Sequence, residues 1–121
     1  MKRILVVDDD ENLREILSAM LGQRDRSIDT ARDGIEALEL LTQNQYDVIL
    51  SDVSMPGLDG PALYEALRAT PHTTPRVIFM SGNTGSGKHA TFLQRANEPV
   101  LEKPFKLEAV RSLVDALLRE G

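Results

Sequence analysis

Ile49-Leu50-Ser51-Asp52-Val53-Ser54-Met55-Pro56-Gly57 is the stretch on which the reading of this chain turns. The run from Asp47 to Leu50 is mostly aliphatic and leads to a carboxylate, Asp52. A turn rich in Pro and Gly follows. Short aliphatic runs bounded by turn signals read as strands buried on both faces. The pattern is that of a buried strand delivering one Asp to the mouth of a loop, which makes Asp52 the candidate reacting group.

The composition narrows what such a site does. The chain has 121 residues, the size of one domain, and residues 1–121 read as a single unit. Hydrophobic residues make up 41% and aromatics only 4%, so one core is expected, built from Leu, Ile, Val, Ala and Met. The formal net charge of −5 runs against binding to nucleic acid or anionic membrane, since both select basic surfaces. With no cysteine, disulfides, thiolate catalysis and Cys-based zinc sites are excluded. No apolar run has the length of a membrane span. Met1-Lys2-Arg3 leads straight into a strand pattern rather than a signal peptide. The expected setting is the cytoplasm.

Working outward, Ile4 to Val7 is a second buried-strand pattern, and it stops at Asp8-Asp9-Asp10. Leu13, Ile16, Leu17, Met20 and Leu21 then recur at helical spacing, with Asp10 placed to cap the helix. Ser27 to Ala31 alternates as a short edge strand. Asp33-Gly34 marks a turn, and Ile35, Leu38 and Leu41 mark a second helix. Beyond Asp52, Asp59-Gly60 and Pro61 open a helix with Leu63, Ala66 and Leu67 on its inner face. Pro71 and Pro75 bracket a polar connection. Arg76 to Met80 is a buried strand that stops at Ser81-Gly82. A small polar stretch, 83–88, precedes a helix on Ala90, Phe92, Leu93 and Ala96. Pro99-Val100-Leu101 is a short strand before Glu102-Lys103-Pro104-Phe105. Leu107, Val110, Leu113, Val114, Leu117 and Leu118 face a last helix inward.

Strict alternation of strand and helix with right-handed crossovers predicts an α/β fold: a doubly wound, (βα)5 parallel sheet of five strands, covered on both faces. Three strands read as central and two as edges, which fits the order 2-1-3-4-5. Ligands bind such sheets at the carboxyl ends of the strands, at the switch between the first and third. That topology brings Asp8 and Asp9 beside Asp52. Carboxylates crowded there stay ionised only with a cation among them. Oxygen ligands on an open rim favour Mg²⁺ first and Mn²⁺ second. Beside such an ion a carboxylate can attack a phosphoryl group, whose other oxygens need a lysine and a hydroxyl. Ser81 and Lys103 end the fourth and fifth strands, where that chemistry wants them.

The ordered set Val6-Val7-Asp8-Asp9, Asp33-Gly34 with Ala37-Leu38, Asp52 with Met55-Pro56 and Asp59-Gly60, Met80-Ser81-Gly82, and Lys103-Pro104-Phe105 resembles the receiver domain of two-component response regulators. The resemblance covers the whole chain and implies a flavodoxin-like three-layer sandwich. By that resemblance Asp52 is the phosphoacceptor, Asp9 a direct metal ligand, Asp8 a ligand through water, and the Ser54 carbonyl a further ligand. Ser81 is then the switch hydroxyl and Lys103 the phosphate-binding lysine, with a cis Lys103-Pro104 bond. The implied partner is a sensor histidine kinase or a histidine phosphotransfer protein, and the implied response is a shift of the face formed by the fourth helix, fifth strand and fifth helix. Magnesium is the implied ion. Nucleic acid and membrane are not implied partners. Within the sequence there is no output domain, so the chain either works by docking or belongs to a longer protein.

Departures and rivals remain. The aromatic often found three residues before the family's lysine is Val100 here, and the usual Gly-Ala before the last strand is Asn97-Glu98-Pro99. Gly82 to Lys88 fits the first seven positions of a phosphate-binding loop, but His89 stands where Ser or Thr must hold Mg²⁺. Asp8-x-Asp10 also resembles the nucleophile motif of haloacid-dehalogenase-type phosphatases, with Asp8 as nucleophile. Against it, Asn12 replaces the expected Thr or Val, and no second acidic pair follows Lys103. Asp33 and Asp59 read as turn and cap residues, and His72 and His89 as exposed.

Overall fold

Side chains alternate across a strand, so an aliphatic run feeds two cores at once. Ile4 and Val6, Val48 and Leu50, and Ile78 and Met80 pack on one side with Leu17, Leu21, Val110, Val114, Leu117 and Leu118. Leu5 and Val7, Ile49, and Val77 and Phe79 pack on the other with Ala37, Leu63, Tyr64, Leu67 and Leu93. The two layers of helix follow from that parity. In the computed structural model, which describes residues 2–23, 25–55, 57–69, 75–82 and 89–120, the elements are β1 (Lys2–Val7), α1 (Glu11–Leu21), β2 (Arg26–Ala31), α2 (Gly34–Gln43) and β3 (Val48–Asp52). They continue as α3 (Gly60–Arg68), β4 (Arg76–Ser81), α4 (Ala90–Ala96), β5 (Val100–Glu102) and α5 (Leu107–Glu120). Helices α1 and α5 cover one face, and α2, α3 and α4 the other.

All strands pair in parallel, in the order β2-β1-β3-β4-β5. This is the expected doubly wound sheet. The register aligns Val7 with Ser51, and Asp52 with Met80, so the central strands end at one level. Asp52 is the last residue of β3, two beyond the aliphatic run. Pro56, Pro71, His72 and the stretch 83–88, with Asn83 and Lys88, lie outside the described residues.

Three aspartates start helices. Asp10 accepts from the Asn12 and Leu13 N–H groups, Asp33 from Glu36 and Asp59 from Ala62. Each satisfies donors that a helix start leaves unpaired. Two of them are followed by glycine for a second reason. A Cβ on Gly34 would lie 2.2 Å from the Leu58 carbonyl oxygen, and one on Gly60 would lie 2.9 Å from the Asp52 carbonyl oxygen. No side chain fits either place, so these glycines let the loop after Asp52 close down on α2 and α3.

Three apolar residues expected to face inward do not. Ile16 is 47% exposed, Ile35 57% and Leu107 43%. Ile35 and Leu107 stand in the first turns of α2 and α5, and Ile35 reaches past the sheet to the loop at Gly57. Ile16 sits beside the buried Leu17–Leu21 row of α1 rather than on it.

Gly34→Ala forces the Leu58 backbone to move, and overpacking of this kind costs about 1–3 kcal/mol. A urea unfolding curve is expected to show a lower midpoint with an unchanged slope.

Candidate functional site

The carboxyl ends of four neighbouring strands supply the side chains. Asp8 follows β1 and extends its pairing, since its N–H donates to the Ala31 carbonyl at 3.1 Å. Asp52 closes β3. Ser81 closes β4 and is buried. The Ser81 carbonyl accepts the Lys103 N–H at 2.7 Å, which carries the β4–β5 pairing onto the lysine. Sequence-distant residues thus meet because parallel strands end in register.

Lys103 sits at the centre. Its Nζ donates to Asp8 Oδ2 at 3.0 Å and to Asp52 Oδ2 at 3.3 Å. Asp8 is fully buried, and its other oxygen accepts the Asp10 N–H at 2.9 Å. Asp52 keeps 12% of its side chain exposed, and its Oδ1 accepts the Ser54 N–H at 3.3 Å. Asp9 is exposed, yet one oxygen from each of Asp8, Asp9 and Asp52 lies within 4.8 Å of the others. At that spacing each pair of ionised carboxylates repels by at least about 3.5 kcal/mol at an effective dielectric of about 20. A single ammonium leaves net negative charge.

Hard, all-oxygen donors with one exposed member fit a divalent cation such as Mg²⁺. The electrostatics agree. Burial pushes the Asp52 carboxyl above its ordinary range, the Lys103 charge pulls it back, and Asp8 pushes it up again. Burial alone would lower Lys103. Its bond to Asp8 and the charges of Asp52 and Asp8 outweigh that and hold the ammonium above its usual range.

The structure brings together Asp8, Asp9, Asp52 and Lys103, with Ser81 on the adjoining strand end and Ser54 on the loop. The Lys103-Pro104 bond is cis. Asp10, Asp33 and Asp59 are caps, as expected. His89 is half-buried at the start of α4 rather than exposed, and its side chain makes no capping bond. Gly34 and Gly60 escaped the sequence reading as parts of the site. Their only signal was the Asp-Gly dipeptide, which reads equally well as a plain turn.

The Asn97-Glu98-Pro99 departure has a structural counterpart. The Glu98 side chain is only 5% exposed, and it accepts from Arg68 at 3.1 Å, Arg76 at 3.3 Å and the Tyr64 hydroxyl at 3.2 Å. Arg68 also donates to the Tyr64 hydroxyl and lies over its ring. Tyr64, Phe79 and Phe92 form three edge-to-face pairs with centroids 5.2–5.7 Å apart. Val100, where an aromatic is common, pairs with Phe79 and packs against this cluster. Aromatic mass therefore sits on α3, β4 and α4 instead of β5.

A sequence profile of the response regulator receiver domain matches residues 4–115. The response regulator MprA of Mycobacterium sp. (strain KMS) is 38% identical over 117 residues, covering 97% of this chain and 50% of that protein. MprA of Mycobacterium leprae (strain TN) is 36% identical, covering 97% and 51%. The chain spans about half the length of these relatives. Among solved structures, the receiver domain of the Francisella response regulator 1452 superimposes with a TM-score of 0.86 at 30% identity, covering 99% of this chain and 98% of that one. The response regulator TrrA of Thermotoga maritima, in complex with Mg²⁺ and BeF, gives 0.80 at 31% identity, covering 97% and 99%. The dehalogenase reading finds no support: the match is to receiver domains, and Asp8, its nucleophile, is sealed from solvent.

Because Asp52 is raised in the fold, folding disfavours its ionised form. Its contribution to stability is whole below the unfolded carboxyl pKa and is lost as pH rises through the folded value. Asp52→Asn is therefore expected to melt above the parent at pH 7 in chelator, with the gap closing on acidification. Thermal denaturation followed by circular dichroism reads both. Glu98→Ala removes the carboxylate that Arg68, Arg76 and the Tyr64 hydroxyl share and is expected to cost about 1–3 kcal/mol, measured by urea unfolding.

Proposed function

The chain belongs to the response regulator receiver domains, and on that premise we propose that it accepts a phosphoryl group on Asp52 from a phosphohistidine donor in two-component signalling. The observation that carries the assignment is the Lys103 ammonium bonded to both Asp8 and Asp52, with an Asp9 oxygen in the same cluster. Residues 1–121 act as one receiver domain, and the donor is a sensor histidine kinase or a histidine phosphotransfer protein. The setting is the cytoplasm. Output passes to a docking partner or a further domain, with no direct role for nucleic acid or membrane.

In this reading Asp9 and Asp52 hold the cation directly, the Ser54 carbonyl adds a third oxygen, and Asp8 holds it through water. Mg²⁺ is the first choice and Mn²⁺ the second. When bound, the ion neutralises charge on the phosphoryl oxygens. An ionised Asp52 oxygen forms the new O–P bond as the N–P bond of the phosphohistidine breaks. The imidazole leaves with the electron pair and takes up a proton. Lys103 exchanges part of its carboxylate pairing for a phosphoryl oxygen, and the Ser81 hydroxyl donates to another. Both groups are held on paired strand ends, so little reorganisation accompanies the transfer. The domain thereby promotes its own phosphorylation, and water attack on the same acyl phosphate resets it.

The phosphorylated state differs from the resting one by new contacts at Ser81 and Lys103. Those contacts bias an existing equilibrium of the α4–β5–α5 face. The domain is a signalling switch rather than a metabolic enzyme.

With acetyl phosphate and Mg²⁺, intact-mass spectrometry is expected to show one added phosphoryl group on the parent and none on Asp52→Asn. Asp9→Ala is expected to lose the dependence of labelling on Mg²⁺. Label persisting in Asp52→Asn, or mapping to Asp8, refutes the assignment.

A further inference from the structure

Asp9 poses a problem of positioning. Its carboxylate is exposed and makes no hydrogen bond or ion pair among the described residues, yet one of its oxygens lies with those of Asp8 and Asp52. Its direction must come from the backbone. A peptide group is planar, so the Asp8 carbonyl and the Asp9 N–H turn as one unit. That carbonyl accepts from Arg14 Nη1 at 2.7 Å. Arg14 lies on the second turn of α1, half-buried, and its own N–H bonds to the Asp10 carbonyl at 3.0 Å. The peptide that delivers Asp9 is thus held at its carbonyl by the Arg14 side chain, and the Asp10 N–H that follows it bonds back to Asp8 Oδ1.

The remaining polar groups of Asp8 are already taken. Its N–H goes to Ala31, Oδ1 to the Asp10 N–H and Oδ2 to Lys103. Without Arg14, nothing else described engages the carbonyl, and the Asp8–Asp9 plane gains freedom to rotate.

We propose that Arg14 is a positioning residue for the metal site: its guanidinium fixes the Asp8–Asp9 peptide plane and thereby aims the Asp9 carboxylate at the cation. This rests on the metal site proposed above. It has a sign that sets it apart from a bystander charge. Arg14 is a cation beside a cation site, so if it acted through charge alone, removing it would tighten Mg²⁺ binding. If it acts by positioning, removing it weakens binding despite the lost repulsion.

The test is Mg²⁺ titration of the full chain by isothermal calorimetry, without phosphodonor. Partners of metal ligands typically contribute 10–100-fold to affinity, so Arg14→Met, which keeps the apolar stem, is expected to raise the Mg²⁺ dissociation constant about tenfold, and Arg14→Lys, which restores one donor, to recover most of it. Melting curves in chelator establish that each variant is folded at the temperature of the titration. If Arg14→Met does not fold, Arg14→Lys against Arg14→Gln makes the same comparison, with the lysine expected to bind more tightly. Unchanged or tighter binding in Arg14→Met, or no recovery with lysine, overturns the proposal while leaving the site intact. Parent protein that binds no Mg²⁺, or Asp9→Ala that binds as well as the parent, overturns the site itself.

Discussion

One ammonium bonded to two carboxylates is the contact on which the rest of this structure depends. Asp8 is wholly buried and Asp52 nearly so, and charges in such places are costly without partners. Lys103 partners both. It does so only because β5, three residues long, is held against β4 and because the Lys103 N–H is tied to the Ser81 carbonyl. Every strand end at the site is therefore coupled to the others through main-chain pairing.

The arrangement costs stability at the rim. Three carboxylates in one pocket raise the energy of the metal-free fold, and two aliphatic cores offset it. Gly34 and Gly60 add a further constraint, since the loop bearing Ser54 closes over α2 and α3 only where no Cβ intervenes. Functional sites commonly violate local stability rules in this way. Here the violation is confined to the rim, while the strands beneath it pack as ordinary aliphatic core.

Away from the carboxylate cluster, aromatic side chains gather beside Val100. Val100 is small, and the space around it is shared by Tyr64, Phe79 and Phe92. Glu98 ties this cluster to Arg68 and Arg76. The C-terminal end of α4 is anchored as well, because the Tyr64 hydroxyl shares its one proton between Glu98 and the Ala96 carbonyl, 3.3 Å away. Phe79 stands two residues before Ser81 on β4, so the site and the anchored helix share one strand.

By itself the sequence determined the element order, the sheet and the cast of the site. Those follow from local rules: aliphatic runs become buried strands, period-3.6 patterns become helices, and strand ends in a parallel sheet collect whatever residues end the runs. Asp8, Asp9, Asp52, Ser81 and Lys103 all sit at such ends. Tertiary structure alone decided the rest. That Gly34 must lack a side chain depends on Leu58, and that Glu98 is sealed depends on Tyr64, Arg68 and Arg76. Arg14 reads in sequence as one more charge on α1, and only the path of the chain at Asp8 gives its guanidinium a carbonyl to hold. Local pattern records which face a residue takes; what it meets there is set by elements that the periodicity of one segment does not encode.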